Sequence, residues 1–372
     1  MDIKLLFFQA RMATHLLLWC MWSFSLCQNT DAAENRQTQN SKKVYQCHYV
    51  DHQIIIDGSI QNDEWNDADW TEYFVDIEGS SKPPPFYGTR VKMLWDSSYL
   101  YIAAHLEEDH LWGYVTKKNT PIYQFGNDFE VFIDPDRDHH NYYELELNVL
   151  NTIWELTLEK PYRNGGPAID PTNLPGLLTA VSNVGSVNDP SDIDEYWTVE
   201  IAIPFADLHN YRKPNPPVSS KSRPDVGDRW GINFSRVHWD HQVEGMKYQQ
   251  VPDRPEYNWV WSPQGEINMH APENWGVLVF VKGVEIPLDS NIETVRSLMM
   301  AFYKSQQTFF EIKGIYARSI DELDIGMEVP SCVEQVTIVE GGKKFVIESV
   351  MRDEDGVIHK FVVDETSQLI VK

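Results

Sequence analysis

Positive charge is in short supply in this sequence. Its 31 Lys and Arg stand against 56 Asp and Glu, for a net charge of −25, and the basic residues form no stripe. A surface of that sign repels polyanions, which excludes nucleic acid and leaves neutral sugars and divalent cations compatible. Cysteine is scarce as well. Of four in all, Cys20 and Cys27 lie in or beside the N-terminal leader, which leaves Cys47 and Cys332. Nothing has zinc-ligand spacing, and there is no CxxCH haem attachment. In an exported chain the remaining two can form one disulfide, Cys47–Cys332, tying the two ends together. After the leader no run is long and apolar enough to span a bilayer. G-x-S-x-G, HExxH, P-loop and dinucleotide signatures are all missing, so catalysis has no visible machine.

What is present begins with a targeting segment. Lys4 and Arg11 flank an apolar start, and Leu16 to Leu26 supplies a hydrophobic region too short to cross a membrane comfortably. We read residues 1–27 as a signal peptide, with cleavage between Cys27 and about Ala33, and residues 28–43 as a polar, disordered linker. Phe24-Ser25-Leu26 before Cys27 fits a lipoprotein signal poorly, so ordinary export is expected, to the medium, the periplasm or the cell surface.

Short alternating strands with turn punctuation follow. Val91–Trp95 and Leu100–Leu106 flank Asp96-Ser97-Ser98, a hairpin signature. Further strands are expected at Phe129–Ile133, Tyr143–Leu150, Ile153–Leu158, Trp197–Ile203, Trp230–Trp239 and Val277–Val281. Many strands without a βαβ rhythm predict a mainly β protein, an antiparallel β-sandwich over residues 44–283. A proline-rich surface insertion is expected from His209 to Val226. Composition then changes. Val295, Leu298, Met299, Phe302 and Tyr303 recur at helical spacing behind an Asp289-Ser290-Asn291 cap, and four strands follow. Residues 287–372 therefore read as a small α+β domain, one helix on an antiparallel sheet.

The segment QFGNDFEVFIDPDRDHHNYY, from Gln124 to Tyr143, carries most of the chemistry. Period-two alternation puts Phe129, Val131 and Ile133 on one face, and Asp128, Glu130 and Phe132 on the other. A carboxylate on that second face can accept hydrogen bonds from sugar hydroxyls. Asp134, Asp136 and Asp138 alternate through the following turn, where hard oxygen ligands fit a structural Ca²⁺ and Asx-type turn bonding explains them equally. Tryptophan is abundant, at thirteen residues. Most should pack in cores, and Tyr123, Trp112 and Trp261 are candidates for stacking platforms. His238, Asp240 and His241 lack a third ligand partner, and His139, His140 and His270 read as loop histidines.

A set of ordered motifs adds a family likeness. IIIDGSIQNDEW, VKMLWDSSYLYIAAHL, NDFEVFIDPD, WTVEIAIPF, WGINFSRV and ENWGVLVF occur in sequence between Tyr45 and Phe280. Together they resemble the family 9 carbohydrate-binding module, of the DOMON-like β-sandwich superfamily, in an uncharacterised exported subgroup. The resemblance implies a sandwich that holds poly- or oligosaccharide between two aromatic clamps. Tyr123 falls at the first clamp position, and Met269 at the second, six residues before Trp275-Gly276. Glu130 matches the strand carboxylate, and Glu146 stands near an expected arginine. Some members carry calcium. The expected function is non-catalytic sugar recognition outside the cell. The alternative is a glycoside-processing enzyme, or its accessory subunit, in carbohydrate catabolism, acting through Glu130 with Glu144 or Glu146.

Overall fold

The computed structural model describes residues 42–169, 172–211 and 222–372. The leader, the linker up to residue 41 and the middle of the proline-rich insertion lie outside the described residues. Among those described, no helix is long and apolar enough to cross a membrane.

The strands of the first part are β1 (Val44–Tyr49), β2 (Val75–Asp76), β3 (Thr89–Trp95), β4 (Tyr99–Glu107), β5 (Asp128–Asp134), β6 (Tyr142–Leu147) and β7 (Ile153–Leu158). They continue as β8 (Ala168–Ile169), β9 (Leu178–Val184), β10 (Tyr196–Pro204), β11 (Arg229–His238), β12 (His241–Glu244), β13 (Lys247–Gln250), β14 (Tyr257–Val260) and β15 (Gly276–Val281). A short helix, α1 (Phe205–Tyr211), follows β10. Thirteen of these strands join one curled sheet in the order β8-β7-β6-β5-β11-β15-β1-β3-β4-β10-β9, with β14 pairing β11 and β2. β12 and β13 form a separate hairpin.

The curl makes a sandwich because one hydrophobic cluster draws on both ends of that order. Val91, Ile102 and Ile201 from β3, β4 and β10 share it with Phe129, Val131 and Ile133 from β5. Each such side chain, fully buried, contributes about 1.5–3 kcal/mol. The β3–β4 turn is set by Asp96, whose Oδ1 accepts from Ser98 N at 2.6 Å and Tyr99 N at 2.8 Å, an Asx turn. One strand departs from the antiparallel expectation. β1 runs parallel to both β15 and β3. Its neighbours lie far along the chain, so no tight hairpin forces the antiparallel sense.

The C-terminal part is α2 (Ser290–Lys313) on an antiparallel sheet of β16 (Val333–Glu340), β17 (Val346–Arg352), β18 (Ile358–Asp364) and β19 (Leu369–Val371). Asp289 caps α2, its side chain accepting from Asn291 N at 2.8 Å and Ile292 N at 3.2 Å, and Gly314 closes it at φ 72°. Val295, Leu298, Met299 and Phe302 meet Phe345, Ile347 and Phe361 in a second core. The expected Cys47–Cys332 disulfide is absent. Both cysteines are free, Cys47 in the sandwich core and Cys332 against the second core. Each packs as a small apolar side chain in its own cluster.

The acidic turn after β5 is where the second part docks. Arg137 makes a two-pronged bond to Glu293 of α2, at 2.8 and 2.7 Å. Leu369 N donates to Asp138 O at 3.0 Å and Gln368 Nε2 to Asp138 Oδ2 at 2.8 Å. His140 and His139 bond the carbonyls of Thr366 and Ser367. Arg137, His139 and Asn141 all have positive φ, a strained conformation held by these contacts. The ion pair is nearly buried, with side-chain exposures of 8% and 15%. Arg137→Ala should therefore cost about 3 kcal/mol by removing the two-pronged bond to Glu293. Adding Glu293→Ala should cost little more. Equal, additive losses in denaturant unfolding would show that the two groups are not coupled.

Candidate functional site

The outward face of β5 is not solvated. Asp128, Glu130 and Phe132 share it with Glu144 and Glu146 of β6, through the pairs Glu130↔Glu146 and Phe132↔Glu144. β11 adds Ser235 opposite Glu130 and Val237 opposite Asp128. β7 adds Trp154 opposite Glu146 and Leu156 opposite Glu144. This surface is the floor of a cleft of about 310 Å³, at the small end of the ~300–1,000 Å³ range of ligand sites.

Two loops wall it. On one side Glu146 Oε2 accepts from Ile122 N at 2.9 Å and Tyr123 N at 3.3 Å. Trp239 Nε1 donates to Tyr123 O at 2.8 Å. So fixed, Tyr123 lies nearly parallel to Trp154, the rings 13° apart in plane with centroids at 6.4 Å. On the other side stand Ile267, Asn268, Met269 and His270, with Glu256 and Asn258 beside them and Tyr162 at the rim. Buried Trp275 anchors this wall by donating to Met269 O at 2.9 Å. His270 Nδ1 meets Tyr142 OH at 3.0 Å, and burial pushes the imidazole down to about 4, so it is neutral near pH 7. A larger hollow of about 580 Å³ lies between residues 53–56 and 177–179, but only Gln, Ile, Leu and Thr line it.

The electrostatics of the floor are one-sided. Burial, then the Glu130 charge, raises Asp128 well above the carboxylate range. Burial and Glu130 do the same to Glu144, and burial with Asp128, Glu130 and Glu144 to Glu146. Burial lifts Glu130 itself from 4.5 to about 7, the neighbouring Ser235 hydroxyl offsetting part and Glu256 adding to it. No Lys or Arg lines the cleft. The floor is therefore built for hydroxyl donors or a positive charge, and the walls supply flat apolar faces.

Residues 56–282 match the family model described as carbohydrate family 9 binding domain-like. The chain belongs to this family. No curated protein matches it. Among solved structures, a family 9 carbohydrate-binding module from Caldicellulosiruptor kristjanssonii in complex with cellotriose is similar at 17% identity and TM-score 0.42, covering 66% of this chain and all (100%) of that one. A family 9 module of the same organism with glucose is similar at 17% identity and TM-score 0.41, over the same shares, 66% and 100%. A putative carbohydrate-binding protein from Bacteroides uniformis is similar at 15% identity and TM-score 0.46, covering 64% of this chain and 100% of that chain.

The family 9 domain brings four of the expected site residues together: Tyr123, Glu130, Glu146 and Met269 all line the cleft. Two others do not belong to it. Trp261 is 1% exposed, packs with Phe234 in the sandwich core and presses on Gly276, where a Cβ would stand 2.3 Å from its ring. It cannot be a platform. Trp112, 3% exposed, is stacked on Tyr248 and equally covered. Trp154 was not anticipated. Its partner in register, Glu146, is the signal that could have found it, because the two share a sheet face.

The Asp134, Asp136 and Asp138 carboxylates do converge within 4.8 Å. They are engaged by protein groups, however. Asp134 accepts from Arg137 N and His139 N at 3.0 and 2.8 Å, and Asp138 from His140 N and Gln368 Nε2, both at 2.8 Å. The buried Arg296 guanidinium bonds the Arg137 carbonyl and faces Asp134 and Asp138. A calcium ion there would compete with that cation for the Asp134 and Asp138 oxygens. His238 likewise serves packing: it is stacked on Trp259 and lies 3.2 Å from Glu108, while Asp240 pairs with Arg254.

The Glu130 shift makes stability pH-dependent. The folded state favours the protonated acid, so its contribution is full below about 4.5 and is lost as pH rises through about 7. Glu130→Gln imitates the protonated form. In metal-free buffer the wild type should lose on the order of 3 kcal/mol across this window relative to the variant. Parallel pH profiles in denaturant unfolding would contradict the assignment.

Proposed function

We propose that the protein is an exported, non-catalytic carbohydrate-binding protein whose ligand lies in this cleft. The observation that carries the reading is Tyr123 standing parallel to Trp154 beside the carboxylates of the floor, within a family 9 domain. A pyranose presents C–H faces that pack on aromatic rings and hydroxyls that donate to carboxylate oxygens. Charge narrows the ligand. With Glu130, Glu144, Glu146 and Glu256 lining the cleft, neutral or basic poly- or oligosaccharides fit and uronate or sulfated glycans do not. The floor carboxylates sit side by side on paired strands. A glycosidase instead needs two carboxyl groups facing each other across the scissile bond. Export rests on the leader, from Lys4 through Leu26.

A glycan array followed by calorimetry on the best ligand tests this. Tyr123→Ala and Trp154→Ala should each weaken binding about tenfold, ~1.4 kcal/mol, with near-UV circular dichroism showing the fold retained. Wild-type affinity in both variants would place the site elsewhere. Hydrolysis of the array glycans, abolished by Glu130→Gln, would replace the binding role with an enzymatic one.

A further inference from the structure

We propose that the cleft floor is a site for a hard, calcium-sized divalent cation, held by Asp128, Glu130 and Glu146 with the Ser235 hydroxyl and Glu144 beside them. One carboxylate oxygen from each of Asp128, Glu130 and Glu146 lies within 4.8 Å of the other two. Oxygens ligating Ca²⁺ stand about 2.3–2.6 Å from the ion, so opposed ligands are separated by about this span. Mg²⁺ demands shorter bonds and keeps its waters, and the absence of His and Cys from this trio disfavours softer metals.

A second observation is independent of the carboxylate spacing. Ser235 is fully buried on β11, opposite Glu130 in register and so on the same sheet face. Its hydroxyl faces Glu130 and offsets part of that carboxyl's shift. Glu144 Oε2, on a side chain 5% exposed that lines the cleft, completes no hydrogen bond, and the Asp128 carboxyl, 0% exposed, has no side-chain partner. Each buried polar atom left without a partner costs about 1–3 kcal/mol. Buried acids so poorly supplied with donors on one small patch point to a partner that is not a protein group. That partner is positive, because every neighbouring charge in the cleft is negative. The Asp134–Asp138 turn is the informative contrast, since Asp134 and Asp138 already have protein donors and a guanidinium nearby.

The ion would neutralise the floor beside Tyr123 and Trp154 and turn its open coordination positions toward the cleft. The site does not depend on a sugar being bound above it. Its test uses the full mature protein, stripped with EGTA, titrated with CaCl₂ and MnCl₂ in a calorimeter. One ion per chain should bind with a dissociation constant below about 100 µM. At millimolar Ca²⁺ the thermal midpoint should rise by several degrees. Asp128→Asn and, more mildly, Ser235→Ala should weaken binding, the first at least tenfold, while Asp136→Asn in the other acidic turn leaves it unchanged. Should Asp128→Asn fail to fold, Mn²⁺ anomalous scattering from wild-type crystals decides the location, with a peak expected between Asp128 and Glu130. No binding up to 5 mM (about fiftyfold above the expected constant), binding abolished by Asp136→Asn, or an anomalous peak only at the Asp134 turn would each overturn the proposal.

Discussion

Asp128, Glu130, Glu144 and Glu146 share one face of two paired strands, each at most 5% exposed, and none forms an ion pair among the described residues. So much like charge out of water is costly unless protons, ligands or cations answer it. The surroundings are arranged around that demand. Glu146 gives one oxygen to the backbone of the 122–123 loop, which sets Tyr123 beside the floor. The opposite wall is pinned by Trp275. Both aromatic and acidic parts of the cleft thus follow from one strand register. A one-residue slip of β5 would send Phe129, Val131 and Ile133 into the cleft and the acids into the core.

The same strand links the cleft to the C-terminal part. β5 leaves the floor and runs directly into the turn where Arg137 meets Glu293 and Asp138 meets Leu369. Three non-glycine residues of the turn hold positive φ there, a strain that docking contacts can maintain and an exposed turn would relax. The α2–β16–β19 unit therefore acts on the end of the strand that carries the site, which gives the last ninety or so residues a structural role.

Much of this was legible in the chain. Period-two alternation sorted the two faces of β5 correctly, Asp96 and Asp289 announced their turn and cap, and six ordered motifs pointed to the family. Depth was not legible. Alternation assigns a face but not what covers it, so Glu130 could have stood in solvent as easily as in a cleft. Trp261 and Trp112 looked like platforms because an indole reads the same in a core as on a surface. Trp154 was missed because its place beside Tyr123 depends on the β6–β7 register. Two cysteines suggested one bridge, but each lies in a different hydrophobic cluster, a separation that residue counting does not reveal. Two of the three aspartates grouped by spacing as metal ligands, Asp134 and Asp138, also hold the turn and its docking contacts, which spacing alone does not reveal.

The most direct measurement is hydrogen–deuterium exchange of the protein with and without the oligosaccharide that binds it best. Protection should concentrate at residues 121–125, 154–162 and 266–270, which surround one cleft. Protection confined to the hollow at residues 53–56 and 177–179, or no glycan binding at all, would contradict that.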